Sequence, residues 1–268
     1  MNNEVPPVTE VGVTDEHDVG ALPPIVDKLT WEAELRSITE REKSLTRESD
    51  ALAAARRRLP MTTVGQATLI GEHGSVPFAD AFEGRDTLIT YTLMWNHGRP
   101  FSEQCMGCTF SVSQLPSQTY LSQRGVTLAV LSEGTWEEIS AYRRYMGWSH
   151  PWYSIEASLD CPEVAGEKYL RCYLRRGTDV YLTYQTTDRG TEVMDPVLGL
   201  LDRTAFGRRE FWEDSPLGWP QSPTGEWWLR DGRPAAHYER PFSPELATEC
   251  SPTAHRGNET TDDCEQGS

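Results

Sequence analysis

Two runs of β-branched and aromatic residues constrain this chain most: RDTLITYTLMW at 85–95 and VTLAVLS at 126–132. Both read as buried strands. Between them a loop with Gly98 and Pro100 leads to TFSVSQLPSQTYLSQRG, amphipathic enough for a helix, with Pro116 as a kink or break and Gly125 as the stop. After the second run, TWEEISAYRRYMGW predicts a helix opened by a capping box from Thr135 to Glu138, with Ile139, Tyr142, Tyr145 and Met146 on one face. YLRCYLRRGTDVYLTYQTT then reads as an antiparallel hairpin turning near Arg176, Gly177 and Thr178. A parallel crossover followed by an antiparallel pair predicts an α/β fold with a mixed sheet flanked by helices. Upstream, TLI, GEHG and SVPFADAF have the pattern of a further hairpin and a short helical turn.

The N-terminal part has a different texture. Residues 27–60 predict one long helix, with Thr30 as N-cap, acids in the first turn, three arginines in the last and Pro60 closing it. Trp31, Ile38, Leu45, Leu52 and Leu59 recur every seven residues, but the positions four after each are Leu35, Glu42, Ser49 and Arg56. Only one side of a two-residue seam is apolar. Such a helix either lies along its own domain or docks across a homodimer.

The formal charge of −16 is concentrated at the ends. Residues 1–26 hold five acids and no Lys or Arg, and residues 245–268 hold six acids against Arg256. Segments 1–26 and 243–268, rich in Pro, Gly, Ser and Thr, cannot bury enough apolar surface to offset the entropy of ordering, so both are expected to be disordered acidic tails. Residues 61–242 are then one domain. An acidic chain without a basic stripe excludes nucleic acid as a partner, and no apolar run approaches the ~18 residues of a membrane span. The N-terminus has no basic stretch followed by an apolar one, so a cytoplasmic protein is expected. Residues 211–242 hold Trp212, Trp219, Trp227 and Trp228 among prolines, which predicts an irregular segment wrapped on the domain, its indoles packed or lining a cleft.

Chemistry points to FSEQCMGCTF, where Cys105 and Cys108 form a C-x-x-C between the strand-like and helix-like runs. A cysteine at a helix N-terminus is held as a thiolate by unpaired N–H groups and the dipole, its pKa falling from about 8.5 toward about 7. Cys105 is thus the candidate nucleophile, and Cys108, one turn on, the residue that resolves a mixed disulfide. No second C-x-x-C, finger-spaced Cys/His pair or H-E-x-x-H supports a closed zinc site. No glycine-rich phosphate loop or G-x-S-x-G points to a nucleotide cofactor or serine hydrolysis. Cys161 is a weaker redox candidate, Cys172 reads as a packed thiol, and Cys250 and Cys264 fall in the tail.

RRRLP, QCMGC, GWSHPWYS, CYLRRGTDVYLTYQTTDRG and FWEDSPLGWPQ, spread over residues 29–230, together resemble the bacterial family designated domain of unknown function 899. The resemblance implies a thioredoxin- or peroxiredoxin-like fold with Cys105 and Cys108 as its pair, and no substrate. Two positions depart from thioredoxin itself: Gln104 precedes Cys105 where an aromatic is usual, and no proline opens the hairpin strand. Loss of that cis-proline removes the groove that grips peptides, which turns the expectation toward a small-molecule or thiol substrate. It also leaves the sulfurs more open, so a Cu(I) site or copper oxidase formed by Cys105, Cys108 and His97 is the alternative, with His150 as a second candidate ligand. A non-catalytic interaction module is a third reading, resting on the long helix, the acidic tails and the tryptophans.

Overall fold

The computed structural model describes residues 22–239. The expected tails therefore lie almost wholly outside the described residues, as do Cys250 and Cys264. The described residues divide into two compact units, one of residues 22–54 with 197–226, the other of residues 55–196 with 227–239.

In the first unit, helix α1 spans Lys28–Arg56, its last two residues counting with the second unit. Its cap is Asp27 and not Thr30: the Asp27 carboxylate accepts the N–H of Leu29 at 2.9 Å and of Thr30 at 3.0 Å, and the Thr30 hydroxyl at 2.7 Å. Carboxylate is the stronger acceptor for the orphan first-turn donors, so the helix starts before the threonine. No residue of α1 is buried. The motif FWEDSPLGWPQ is a loop tied by its own carboxylates. Glu213 accepts the backbone N–H of Arg208 at 3.1 Å and of Glu210 at 3.0 Å, while Glu210, 3% exposed, accepts the Trp212 indole N–H at 2.5 Å. Arg208 grips Asp202 through two nitrogens at 2.7 and 2.8 Å. A segment with this many prolines cannot satisfy its backbone in a ladder, and side chains take over.

The second unit is built on an 8-stranded sheet in the order β1-β8-β7-β4-β5-β6-β2-β3. Its strands are β1 (Thr62–Thr63), β2 (Thr68–Gly71), β3 (Gly74–Pro77), β4 (Thr87–Leu93), β5 (Val126–Ser132), β6 (Trp152–Ser154), β7 (Leu170–Arg176) and β8 (Asp179–Thr186). Strands β4, β5 and β6 run parallel and every other neighbouring pair is antiparallel. Helices α2 (Met106–Ser113) and α3 (Gln118–Ser122) connect β4 to β5, and α4 (Trp136–Met146) connects β5 to β6. Helix α5 (Pro196–Leu201), which follows the β7–β8 hairpin in sequence, counts with the first unit from residue 197 on, and β9 (Leu229–Arg230) pairs with β10 (Arg233–Pro234) in the second. The expected helix after the cysteines is two helices because the turn at Pro116 separates them.

Alternation along the central strands sends side chains into two cores. Tyr91, Leu93 and Val130 join Cys108, Val112, Ile139 and Tyr142 on one face, while Leu88, Ala129 and Leu131 join Phe82, Ile155 and Tyr173 on the other. Covered on both sides, β4 and β5 can be apolar along nearly their whole length, which is how they read in the sequence. The capping box of α4 is present, with Thr135 accepting the Glu138 N–H at 3.3 Å. Gly134 just before it has no alternative: a Cβ there would sit 2.6 Å from the Trp95 ring. No helix among the described residues is long and apolar enough to cross a membrane.

The order β5-β4-β7-β8, with helices joining the parallel pair and the antiparallel hairpin on the other side, is the thioredoxin arrangement. Strand β4 delivers the chain to the cysteines.

Candidate active site at the start of α2

After β4 the chain must turn and enter α2 with its first residue fixed. Gln104, 3% exposed, does this with a saturated amide. Its oxygen accepts the Asn96 N–H at 2.9 Å, and its nitrogen donates to the carbonyls of Asn96 and Arg99, each at 3.0 Å. In the position where thioredoxin has an aromatic, this chain has a hydrogen-bonded clamp on the loop.

Cys105 is the N-cap of α2, and its sulfur accepts the backbone N–H of Cys108 at 3.3 Å. The Cys105 carbonyl accepts both the N–H and the hydroxyl of Thr109, each at 2.9 Å, and that hydroxyl meets the Tyr142 hydroxyl at 2.8 Å. Cys108 is 2% exposed and lies behind the cap. These contacts decide the two ionisations. A hydrogen bond from the Cys108 thiol, then the Cys108 N–H, the Lys168 charge and the Gly107 N–H, outweigh burial and bring the Cys105 thiol down to about 7. The same pairing, with burial, drives the Cys108 thiol far up. Of the two, Cys105 is therefore the sulfur that ionises near neutral pH, and Cys108 keeps its proton. Each of the four described cysteines is a free thiol.

Further residues complete the site without having been visible in the sequence. Tyr91 on β4, 3% exposed, sets its hydroxyl against the Cys108 sulfur, where burial and the two sulfurs keep the phenol protonated. Lys168 stands directly before Tyr169 and the hairpin strand in a left-handed backbone conformation, φ 61°. Its N–H donates to the Thr92 carbonyl at 2.8 Å, and Thr92 donates to the Tyr169 carbonyl at 2.9 Å, so this turn is docked on the end of β4. No cis peptide bond occurs among the described residues. The turn is held from behind by Arg171, 2% exposed, which donates to the carbonyls of Val164 at 2.9 Å and Ala165 at 2.6 Å and lies over the Tyr169 ring. No spacing rule announces a buried arginine on a strand; its role depends on a loop that forms only in the fold.

The tryptophan segment reaches the same place. Trp228 stacks on Phe110 of α2 with ring centroids 4.8 Å apart, and Trp227 meets that ring edge-on at 5.1 Å. A Cβ on Gly107 would lie 3.4 Å from the Trp228 ring. The glycine between the cysteines thus admits an indole against the helix start.

Other candidates are engaged elsewhere. His97 faces Glu138 at 3.3 Å with a side chain 60% exposed, and His150 makes its contact with the Pro116 carbonyl at 3.0 Å. Among the described residues no three His, Cys, Asp or Glu side chains gather as a metal site, so two sulfurs without a third donor do not fit the expected copper set of Cys105, Cys108 and His97. Cys161 is buried on the opposite face of the sheet, its thiol donating to Glu163 at 3.4 Å. Burial holds its pKa up, and burial likewise pushes Cys172 up to about 11. Glu103 pairs with Arg99 at 3.4 Å, and Glu133 caps the Gly166 N–H at 3.0 Å.

A dithiol at the first turn of the helix that follows the first central strand, opposite the turn that opens the hairpin, defines a thioredoxin-like protein with a C-x-x-C. The chain belongs to the family described as bacterial protein of unknown function (DUF899), whose model matches residues 20–232. No curated protein gives a significant match. Among solved structures, a thiol:disulfide interchange protein from Bacteroides sp. is 16% identical with a TM-score of 0.37, covering 56% of this chain and 92% of its own. The mitochondrial 2-Cys peroxiredoxin from Plasmodium falciparum is 10% identical with a TM-score of 0.33, covering 54% and 94%. A putative electron transfer protein from Aquifex aeolicus VF5 is 11% identical with a TM-score of 0.33, covering 52% and 94%.

Proposed function

We propose that the chain is a thiol–disulfide oxidoreductase whose nucleophile is Cys105 and whose resolving residue is Cys108. The observation that carries this reading is the Cys105 sulfur at the N-cap, taking the Cys108 N–H at 3.3 Å while the second thiol stays buried and protonated behind it. The Cys105 thiolate attacks one sulfur of a substrate disulfide, forming a mixed disulfide and expelling the other half as a thiolate that takes a proton from water. Cys108 then gives up its proton and attacks the Cys105 sulfur. The second half of the substrate leaves, and the two electrons come from the pair, which ends as a Cys105–Cys108 disulfide. An external dithiol returns it to the reduced state, and the same steps run backward oxidise a dithiol substrate. Tyr91 serves the second step, its hydroxyl donating to the charge that develops on Cys108.

The substrate in this reading is a small molecule or thiol. Trp228 and Phe110 crowd the helix start, and no cis-proline offers its backbone edge to a peptide. The test is a Cys108→Ser variant given a small aromatic disulfide. It is expected to keep one substrate half bound to Cys105, seen by intact mass and located by peptide mapping, while the parent protein passes on to the internal disulfide. A variant that forms no adduct, or forms it on another cysteine, overturns the reading.

A further inference from the structure

A thiolate held at the surface of a core is open to one-electron oxidants as well as to disulfides. An organic radical that takes an electron from Cys105 leaves a thiyl radical, and Cys108, still protonated, offers no thiolate to trap it as a disulfide. The missing electron must come from elsewhere in the protein. Thiols and phenols are oxidised at similar potentials, and electron transfer falls off steeply with distance, so closely spaced tyrosine rings are a natural source.

Such rings lead from the site to the surface. Thr109 bonds through its hydroxyl to the Cys105 carbonyl at 2.9 Å and to the Tyr142 hydroxyl at 2.8 Å. Tyr142 is completely buried and stacks on Tyr145, with centroids 6.1 Å apart and planes 15° from parallel. Tyr145, half-buried, stacks on His237 at 4.2 Å, and His237 meets Tyr238 edge-on at 5.8 Å. Tyr238 is 38% exposed. Phenylalanine would fill the same space at 142 and 145, as Phe101 does beside both rings.

We propose that Tyr142, Tyr145 and Tyr238 carry one-electron oxidising equivalents from Cys105 to the surface, which gives the site a second activity, the reduction of organic radicals one electron at a time. The proposal rests on Cys105 being the reactive sulfur. The radical takes an electron from the Cys105 thiolate and a proton from water, and leaves as a closed-shell molecule. The thiyl then takes an electron from Tyr142 while the phenol proton ends on the sulfur, because a charged phenol radical is costly in a core. Tyr142 is refilled from Tyr145 and Tyr145 from Tyr238, one electron and one proton each time, with His237 bridging the last step. A thiol or enediol in solution reduces Tyr238 and is itself left as a radical.

The test places the radical on Cys105 without disulfide exchange. In the full chain carrying Cys108→Ser, Cys250→Ser and Cys264→Ser, Cys105 is S-nitrosated, the site is verified by peptide mapping, and light splits the S–N bond into a thiyl radical and nitric oxide. A nitrone spin trap is expected to end on Tyr238, and freeze-quench electron paramagnetic resonance to show a tyrosyl doublet. Tyr142→Phe is expected to lose the doublet and move the adduct to Cys105. Tyr238→Phe, which only removes a hydroxyl at an exposed ring, is expected to keep the doublet and move the adduct to Tyr145. An adduct that stays on Cys105 with Tyr142 present, or a doublet that depends on Tyr91 instead of Tyr142, overturns the proposal. Disulfide exchange is read on the parent protein, so the loss of either activity leaves the other standing.

Discussion

Helices α1 and α2 begin alike: Asp27 and Cys105 each turn a side chain back to accept backbone N–H groups of the first turn, and each is made more acidic by doing so. Their surroundings are opposite. Asp27 is fully exposed, is ionised at neutral pH in any case, and serves only to start a helix. Cys105 is half-buried on an eight-residue helix that packs Cys108, Thr109, Ser111 and Val112 inward, and there the Cys108 thiol first and the backbone N–H bond after it bring a thiol to the edge of ionisation. Capping is a structural device in water and a chemical one at the margin of a core, where the N–H groups have fewer competitors.

Four variants break or sharpen that contrast. Cys108→Ala removes the thiol donor that contributes most to Cys105 acidity, while the backbone N–H remains. The sign follows from the thiolate being the reactive form: alkylation of Cys105 climbs through about pH 7 in the parent, and in the variant the midpoint moves upward, so the rate at neutral pH falls about tenfold. Tyr91→Phe leaves that midpoint in place and slows closure of the internal disulfide about fivefold, the value of one hydrogen bond to the resolving sulfur, read by quenched-flow thiol trapping. Lys168→Ala lowers neutral-pH alkylation of Cys105 about twofold at low ionic strength, and salt erases the difference, because the lysine is exposed. Asp27→Ala frays the first turn of α1, seen as a small loss of helical dichroism, and leaves every thiol rate unchanged. A thiol effect from Asp27→Ala would mean that the two caps are linked.

What was legible beforehand follows the reach of each interaction. The box at Thr135 and Glu138, the turn at Gly177 and the alternation in 85–95 are local, and so is the three-residue step from Cys105 to Cys108; these could be read by eye. At the start of α1 a threonine and an aspartate three residues apart both fit as the cap, and only the backbone geometry selects Asp27 over Thr30. Gln104, Arg171 and Lys168 were opaque for another reason. Each acts on a loop brought to it from elsewhere: Gln104 on residues 96–99, Arg171 on residues 162–165, and Lys168 on the end of β4. The departure before Cys105 looked like a missing aromatic, but it is an amide doing a different job. His97 is close in sequence because its loop runs into the pair, yet its side chain meets Glu138 of α4 at 3.3 Å.

The indole of Trp228 rests on the residue between the two sulfurs. Disulfides quench nearby indole emission by electron transfer, so opening and closing the pair should modulate the intrinsic fluorescence of the molecule. A Trp228→Phe variant would isolate that signal from the other tryptophans, and the redox state of the pair could be followed optically with no dye.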